Sequence, residues 1–210
     1  MFNKIKEFIM HHDKETRDNR QIFIVILIAS IIGLIASFIL SVEAIELASN
    51  PNATFECSIN AVVDCATVAK SSYSTLFGFP NSFIGMMTQP VLILLAVLLL
   101  MGAKLPKRFM FLMQIFISFA TIFALFLFYV SMTIIQVLCP WCMLFMLCTI
   151  IIFFALTKYN IRQDNLYLPK KLSKNAKDFI AKDYDKLALA LVIALVAFII
   201  FAKYGNSLFA

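Results

Sequence analysis

Four residues, Cys139-Pro140-Trp141-Cys142, have the types and spacing that most plainly do chemistry. Two thiols three positions apart at the start of a helix can close a small disulfide, and unpaired backbone N–H groups there stabilise a sulfur anion. The pair is a redox candidate. From Met110 to Leu156 the chain is almost wholly apolar and carries no charged residue, so this dithiol sits in or at a membrane, where a lipid-soluble reactant reaches it more easily than a soluble one. Cys57 and Cys65 lie in the most polar stretch between the first two apolar runs, within reach of a water-soluble protein. Four thiols so placed suggest a relay. The fifth cysteine, Cys148, is left over by spacing and reads as an inert apolar filler.

The elements that must hold these thiols are membrane helices. Of 210 residues, 62% are hydrophobic and 14% charged, with a mean hydropathy of +0.91, which excludes a soluble domain of this size. Residues 1–20 read as a cytoplasmic amphipathic N-terminus, with Phe2, Ile5, Phe8 and Ile9 at helical spacing among lysines and arginines. Its adjacent His11 and His12 lack further ligands and enter no metal site. Residues 21–40, 82–101, 109–133 and 139–157 read as four spans, with an external cysteine loop over 41–81 after the first. The uncharged run through the third and fourth spans is too long for one helix across a core of about 30 Å, so a turn must fall near Met132 to Val137. Pro140 suits a first helical turn, where its missing N–H is no loss. Within the loop, the segment from Ile59 to Phe79 fits one or two short amphipathic helices across the mouth of the bundle. A basic linker over 158–186 leads to a fifth span over 187–204 and an external tail over 205–210. The expected fold class is therefore an all-α membrane protein, a four-helix transmembrane bundle with a fifth transmembrane helix.

Basic residues orient this layout. The N-terminus, the turn holding Lys104, Lys107 and Arg108, and the linker together carry sixteen Lys and Arg, against Lys70 and Lys203 on the other side. Such a bias puts the N-terminus in the cytoplasm, and both cysteine pairs and the C-terminus on the extracytoplasmic side, where disulfides persist. The formal charge of +6 is thus a matter of topology, and no nucleic-acid partner is expected.

Three readings of the thiols stand side by side. Four thiolates can close a zinc site, two static disulfides can brace a non-enzymatic membrane scaffold, or two pairs can pass electrons. The relay reading accounts best for a reactive pair at the head of a membrane helix.

The ordered set of a Cys-x7-Cys loop pair (Cys57, Cys65), Ser71, Phe77-Gly78, Gly85 and a later Cys-x-x-Cys resembles the vitamin K epoxide reductase family, specifically its bacterial members, over about residues 21–157. The resemblance implies a bundle around a quinone pocket (menaquinone, ubiquinone or vitamin K type). It implies that the loop pair exchanges electrons with a thioredoxin-like partner and the Cys139/Cys142 pair with the quinone. Many bacterial members carry a thioredoxin-like domain after the fifth span; here the expectation is a separate exported, DsbA-like protein. The tyrosine that helps hold the quinone in animal members falls on Met146, and Asn81 and Gln89 are polar candidates for the pocket asparagine. Ser71 is placed to hydrogen-bond near Cys139 or a quinone carbonyl, and Trp141 serves as a pocket wall or an interface anchor. With these departures, the resemblance implies quinone reduction coupled to disulfide formation rather than epoxide reduction. A DsbB-type oxidase, which does the same work, has its Cys-x-x-Cys pair first in the chain, the reverse of the order here.

Overall fold

The computed structural model describes residues 14–208. Among the described residues, seven α-helices follow in order: α1 Lys14–Ser49, α2 Cys65–Lys70, α3 Ser82–Leu100, α4 Lys107–Val130, α5 Pro140–Arg162, α6 Lys170–Ala181 and α7 Tyr184–Leu208. Among the described residues, α1, α3, α4, α5 and α7 are long and apolar enough to cross a membrane. With no water in a bilayer to satisfy backbone groups, helices are the solution these runs must adopt. The protein is an all-α membrane protein. The amphipathic N-terminus expected over residues 1–20 lies largely outside the described residues, and from Lys14 onward it is continuous with α1.

Several boundaries differ from those expected of hydropathy alone. The first helix does not stop at Leu40 but runs through the polar residues Ser41, Glu43 and Glu46 to Ser49. Glu43, Ala44, Glu46, Leu47 and Ala48 still favour a helix there, and the first stop signal is Asn50-Pro51. The basic linker is structured as well: α5 continues to Arg162, and α6 sets lysines against Leu172, Phe179 and Ile180. The fifth long helix starts at Tyr184 rather than Leu187. After α4 the chain widens into one π-helical turn, Ser131–Ile135, and reverses at Gln136, whose φ of 59° is left-handed.

Helices α1, α3, α4 and α5 form the bundle, and α7 packs on the outside of α5. Its core is apolar, with Ile26, Leu92, Met110, Ile117, Ile152 and Leu156 fully buried. At the end of α5 far from the cysteines a polar knot replaces apolar packing. Asn160 Nδ2 donates to Gln114 Oε1 at 3.0 Å, Gln114 Nε2 to Thr157 Oγ1 at 2.8 Å, and Asn165 Nδ2 to Asn160 Oδ1 at 3.0 Å. Arg162 and Asp18 (3.2 Å) then tie α5 to α1, and Lys158 and Asp185 (2.7 Å) tie it to α7. Near the cysteine end, Lys203 of α7 donates to the Met132 carbonyl in the π-helical turn.

Close approach of α1, α3 and α5 depends on small residues. A Cβ on Gly33 would meet Gln89 Cδ at 3.0 Å, and one on Gly85 would meet Ser37 Cβ at 2.7 Å and the Phe145 ring at 2.9 Å. Ser37 and the Phe145 ring belong to two different helices, so neither gives way without moving a backbone or a packed ring. Gly85→Ala is therefore expected to destabilise the protein by about 1–3 kcal/mol, the usual range for overpacking. Thermal unfolding in detergent checks this; an unchanged midpoint would show that α1 and α5 yield freely at this crossing.

Candidate redox site

The loop that carries the first cysteine pair is held by one acidic residue. Asp64 caps α2: its Oδ1 accepts from Ala66 N at 2.9 Å and its Oδ2 from Thr67 N at 3.3 Å, while the hydroxyls of Ser58 and Thr67 also donate to it. Partial burial would raise the carboxyl pKa, but these four hydrogen bonds outweigh it and hold the group below the ordinary 3.8. The cap therefore persists wherever Asp64 is ionised and is released only as pH falls through that lowered value.

A second tether crosses from the loop to the head of α5. Leu138 N donates to Val62 O at 2.7 Å, and Asp64 N donates to Leu138 O at 3.0 Å, a short parallel bridge between Val63 and Leu138. Cys65 follows Asp64 and Cys139 follows Leu138, so this register sets the inner loop cysteine beside the first cysteine of the second pair. Val62 and Val63 are β-branched, but two residues against one are too few to betray a strand by sequence pattern.

The cysteines accordingly share one small buried cluster. Cys57 and Cys65 are disulfide-bonded, with Cα atoms 5.7 Å apart, and Cys139 packs with them against Ala53, Phe55 and Ala66; Trp141 and Cys142 border the group. Cys139 and Cys142 are free thiols. Cys139 occupies the cap position of α5 with Pro140 in the first turn, and the Cys142 N–H donates to Cys139 Sγ at 3.3 Å. Cys57 is 8% exposed and Cys65 1%, which makes Cys57 the more accessible sulfur of the disulfide. Cys148 is buried among the apolar side chains of the bundle core, away from this cluster.

Beside the thiols lies a cavity of about 560 Å³, between the loop and helices α1, α3, α4 and α5. Its walls are largely apolar, including Leu40, Phe77, Phe79, Phe123 and Phe145, and Cys65, Cys139 and Cys142 all open onto it. This size and character suit a ring-shaped organic ligand. Of the polar and pocket residues expected from sequence, Ser71, Asn81 and Met146 line the cavity, whereas Gln89 and Trp141 do not. Gln89 is buried against Gly33 on the α1 side of α3, and Trp141 packs on the cysteine cluster. Ser71 donates its hydroxyl to Val68 O at 2.7 Å. Asn81 Nδ2 donates to Tyr73 O at 2.7 Å, while its buried Oδ1 has no partner.

One residue of the site was not singled out by its sequence position. Glu43, on the extension of α1, sets Oε1 3.3 Å from Cys57 Sγ, and its own Oε2 is buried without a partner. The available signal was an acidic residue among helix formers just past the apolar run. Glu43, Cys57 and Cys65 offer ligand atoms within 4.8 Å of one another, a geometry that could hold a metal ion. With both sulfurs joined in a disulfide, however, neither is a thiolate free to coordinate.

Comparison with known proteins agrees with this geometry. No curated protein matches the chain. The sequence profile of the vitamin K epoxide reductase family matches residues 24–157, the stretch that holds the bundle, the cavity and both cysteine pairs, and the chain belongs to that family of oxidoreductases.

Proposed function

We propose that the protein is a quinone-dependent thiol oxidoreductase that reoxidises an exported thioredoxin-like protein and so drives disulfide formation outside the cytoplasm. The observation that carries this reading is that Cys65, Cys139 and Cys142 border one apolar cavity while Cys57, joined to Cys65, lies outside its lining. A brace needs no such access from two sides.

The steps follow from thiol exchange. A thiolate of the partner bonds to Cys57, the more accessible sulfur, as the Cys57–Cys65 bond breaks and its electron pair leaves on Cys65. Cys65 then bonds to Cys139 as the Cys139–Cys142 bond breaks, leaving the pair of electrons on Cys142. The partner's second thiolate releases Cys57 and departs oxidised; Cys57 re-forms its bond to Cys65, and Cys139 is freed. Cys139 and Cys142 are then both reduced beside the cavity, with the loop pair oxidised, the arrangement seen in the structure. A bound quinone would supply the oxidant, accepting two electrons and two protons. Among the residues present, Ser71 and Asn81 offer polar contacts to its oxygens, the unpartnered Asn81 Oδ1 suiting a hydroxyl donor, and Met146 and the phenylalanines enclose the ring.

The strong excess of basic residues on one side supports a cytoplasmic N-terminus and an extracytoplasmic cysteine face. One experiment tests activity and orientation together. Vesicles of known sidedness are given a reduced, membrane-impermeant thioredoxin-like protein and a soluble quinone analogue, and quinone absorbance is followed. Right-side-out vesicles should reduce the quinone and inverted ones should not. Activity in neither would leave a structural brace as the better reading, and activity only in inverted vesicles would reverse the topology.

A further inference from the structure

Thiol exchange alone leaves the protons of the relay without a carrier. Opening a buried disulfide puts a negative sulfur where water is scarce, and the later attack on Cys139 requires that sulfur to be unprotonated again. Glu43 stands at that place. It is only 9% exposed, lies against Cys57 Sγ, and has its second oxygen buried with no partner. A disulfide sulfur carries no hydrogen, so any hydrogen bond across this 3.3 Å contact has the carboxyl as its donor. Among the described residues no lysine, arginine or histidine is paired with it. The groups facing it are the Glu46 carboxyl on the same helix, the Cys142 thiol at the head of α5, and the Cys57 and Cys65 sulfurs, which can take a proton only once their disulfide opens. A carboxyl retained in such a place, with no cation to balance it, serves no evident packing purpose.

From this geometry we infer that Glu43 is a catalytic residue of the relay, lending a proton to the loop sulfur that leaves and taking it back when that sulfur attacks. The inference rests on the reading of the preceding subsection. As the partner's sulfur bonds to Cys57 and the Cys57–Cys65 bond breaks, the electron pair leaves on Cys65, and the Glu43 carboxyl proton moves to that sulfur. Glu43 is then a carboxylate. When Cys65 bonds to Cys139 and the Cys139–Cys142 bond breaks, the carboxylate recovers the proton and the electron pair stays on Cys142. Glu43 ends as it began, and no outside acid or base is consumed. The oxygen needs only a small movement, since the carboxylate and both loop sulfurs already lie within 4.8 Å of one another.

The test compares wild type, Glu43→Gln and Glu43→Asp in quinone reduction driven by a reduced thioredoxin-like protein, from pH 6 to pH 9. Glutamine keeps the shape and can still donate to the disulfide but cannot give up and recover a proton. It should slow turnover about a hundredfold at the acid end, the lower range for general acid–base catalysis. The deficit should shrink as pH approaches an ordinary thiol pKa of about 8.5, where Cys65 deprotonates unaided. Aspartate retains the carboxyl and should keep the wild-type pH profile at a reduced rate. Thiol alkylation before and after reduction verifies that each variant still forms the Cys57–Cys65 disulfide. Wild-type turnover with Glu43→Gln equally active, or slowed by the same factor at every pH, overturns the proton-carrying role. Should Glu43→Gln fail to form the disulfide, Glu43→Asp decides, a steep thiol-like pH slope in that variant counting against the proposal. An inactive wild type would instead overturn the relay reading itself, so the two failures are distinguishable.

Discussion

Cys142→Ala is expected to reduce quinone turnover to background with every reductant and to leave a trapped Cys65–Cys139 disulfide. The reason lies in the order of the sulfurs. Cys142 sits in the first turn of α5 and opens onto the cavity, and it is the sulfur that holds the electron pair after the inner disulfide is opened. Without it, Cys139 has no partner with which to form the disulfide that ends each cycle. Cys139 can still bond to Cys65, with the electron pair leaving on Cys57, because the bridge between Val63 and Leu138 keeps the two segments side by side. With Cys142 absent, only the released Cys57 can reopen that bond from within the protein, and alkylating free thiols at quench blocks it. Non-reducing digestion and mass spectrometry should recover the peptides of Cys65 and Cys139 joined. Appreciable quinone reduction by this variant, or no such joined peptide, would mean that Cys142 is not the sulfur nearest the oxidant.

Cys57→Ala should divide the two kinds of reductant. Cys57 is the accessible sulfur of the loop disulfide and lies outside the cavity lining, so a folded protein partner loses its point of entry and its turnover should collapse to background. Cys139 and Cys142 remain beside the cavity, and a small dithiol can reach them past the loop. Quinone reduction by the small dithiol should therefore survive in part. Equal loss with both reductants would place the protein's entry point elsewhere or make the loop disulfide necessary for the bundle to hold its shape. Read together, the Cys57 and Cys142 variants test the two ends of one chain of electron transfer.

Much of the molecule was legible in its sequence because membranes impose simple demands. A chain of uncharged residues about 20 long has to be a helix in lipid, so the long helices could be located by hydropathy, and the asymmetry of lysine and arginine provided an orientation to test. The four thiols, their order along the chain and the leftover Cys148 needed only counting. Boundaries were less legible where helix propensity and hydropathy part company. Ser41, Glu43 and Glu46 end the apolar run without ending α1, since a helix that has emerged from the core continues until a residue such as Pro51 stops it.

What the tertiary structure alone decided is which of these residues meet. Ser71, Asn81 and Met146 come to the cavity while Gln89, on the same helix as the cavity-lining Gly85, turns to Gly33. On a helix those faces differ by rotation, and the sequence does not say which side a neighbour will cover. The pairing of Val63 with Leu138 joins segments far apart in the chain through backbone hydrogen bonds, which carry no side-chain signature. That pairing brings Cys65 to Cys139, and the continuation of α1 brings Glu43 to Cys57. The amino-acid sequence thus determined that this protein would be a set of membrane helices carrying two pairs of thiols; the contacts that join those pairs arise only in the folded chain, because they depend on backbone register and helix rotation rather than on residue type.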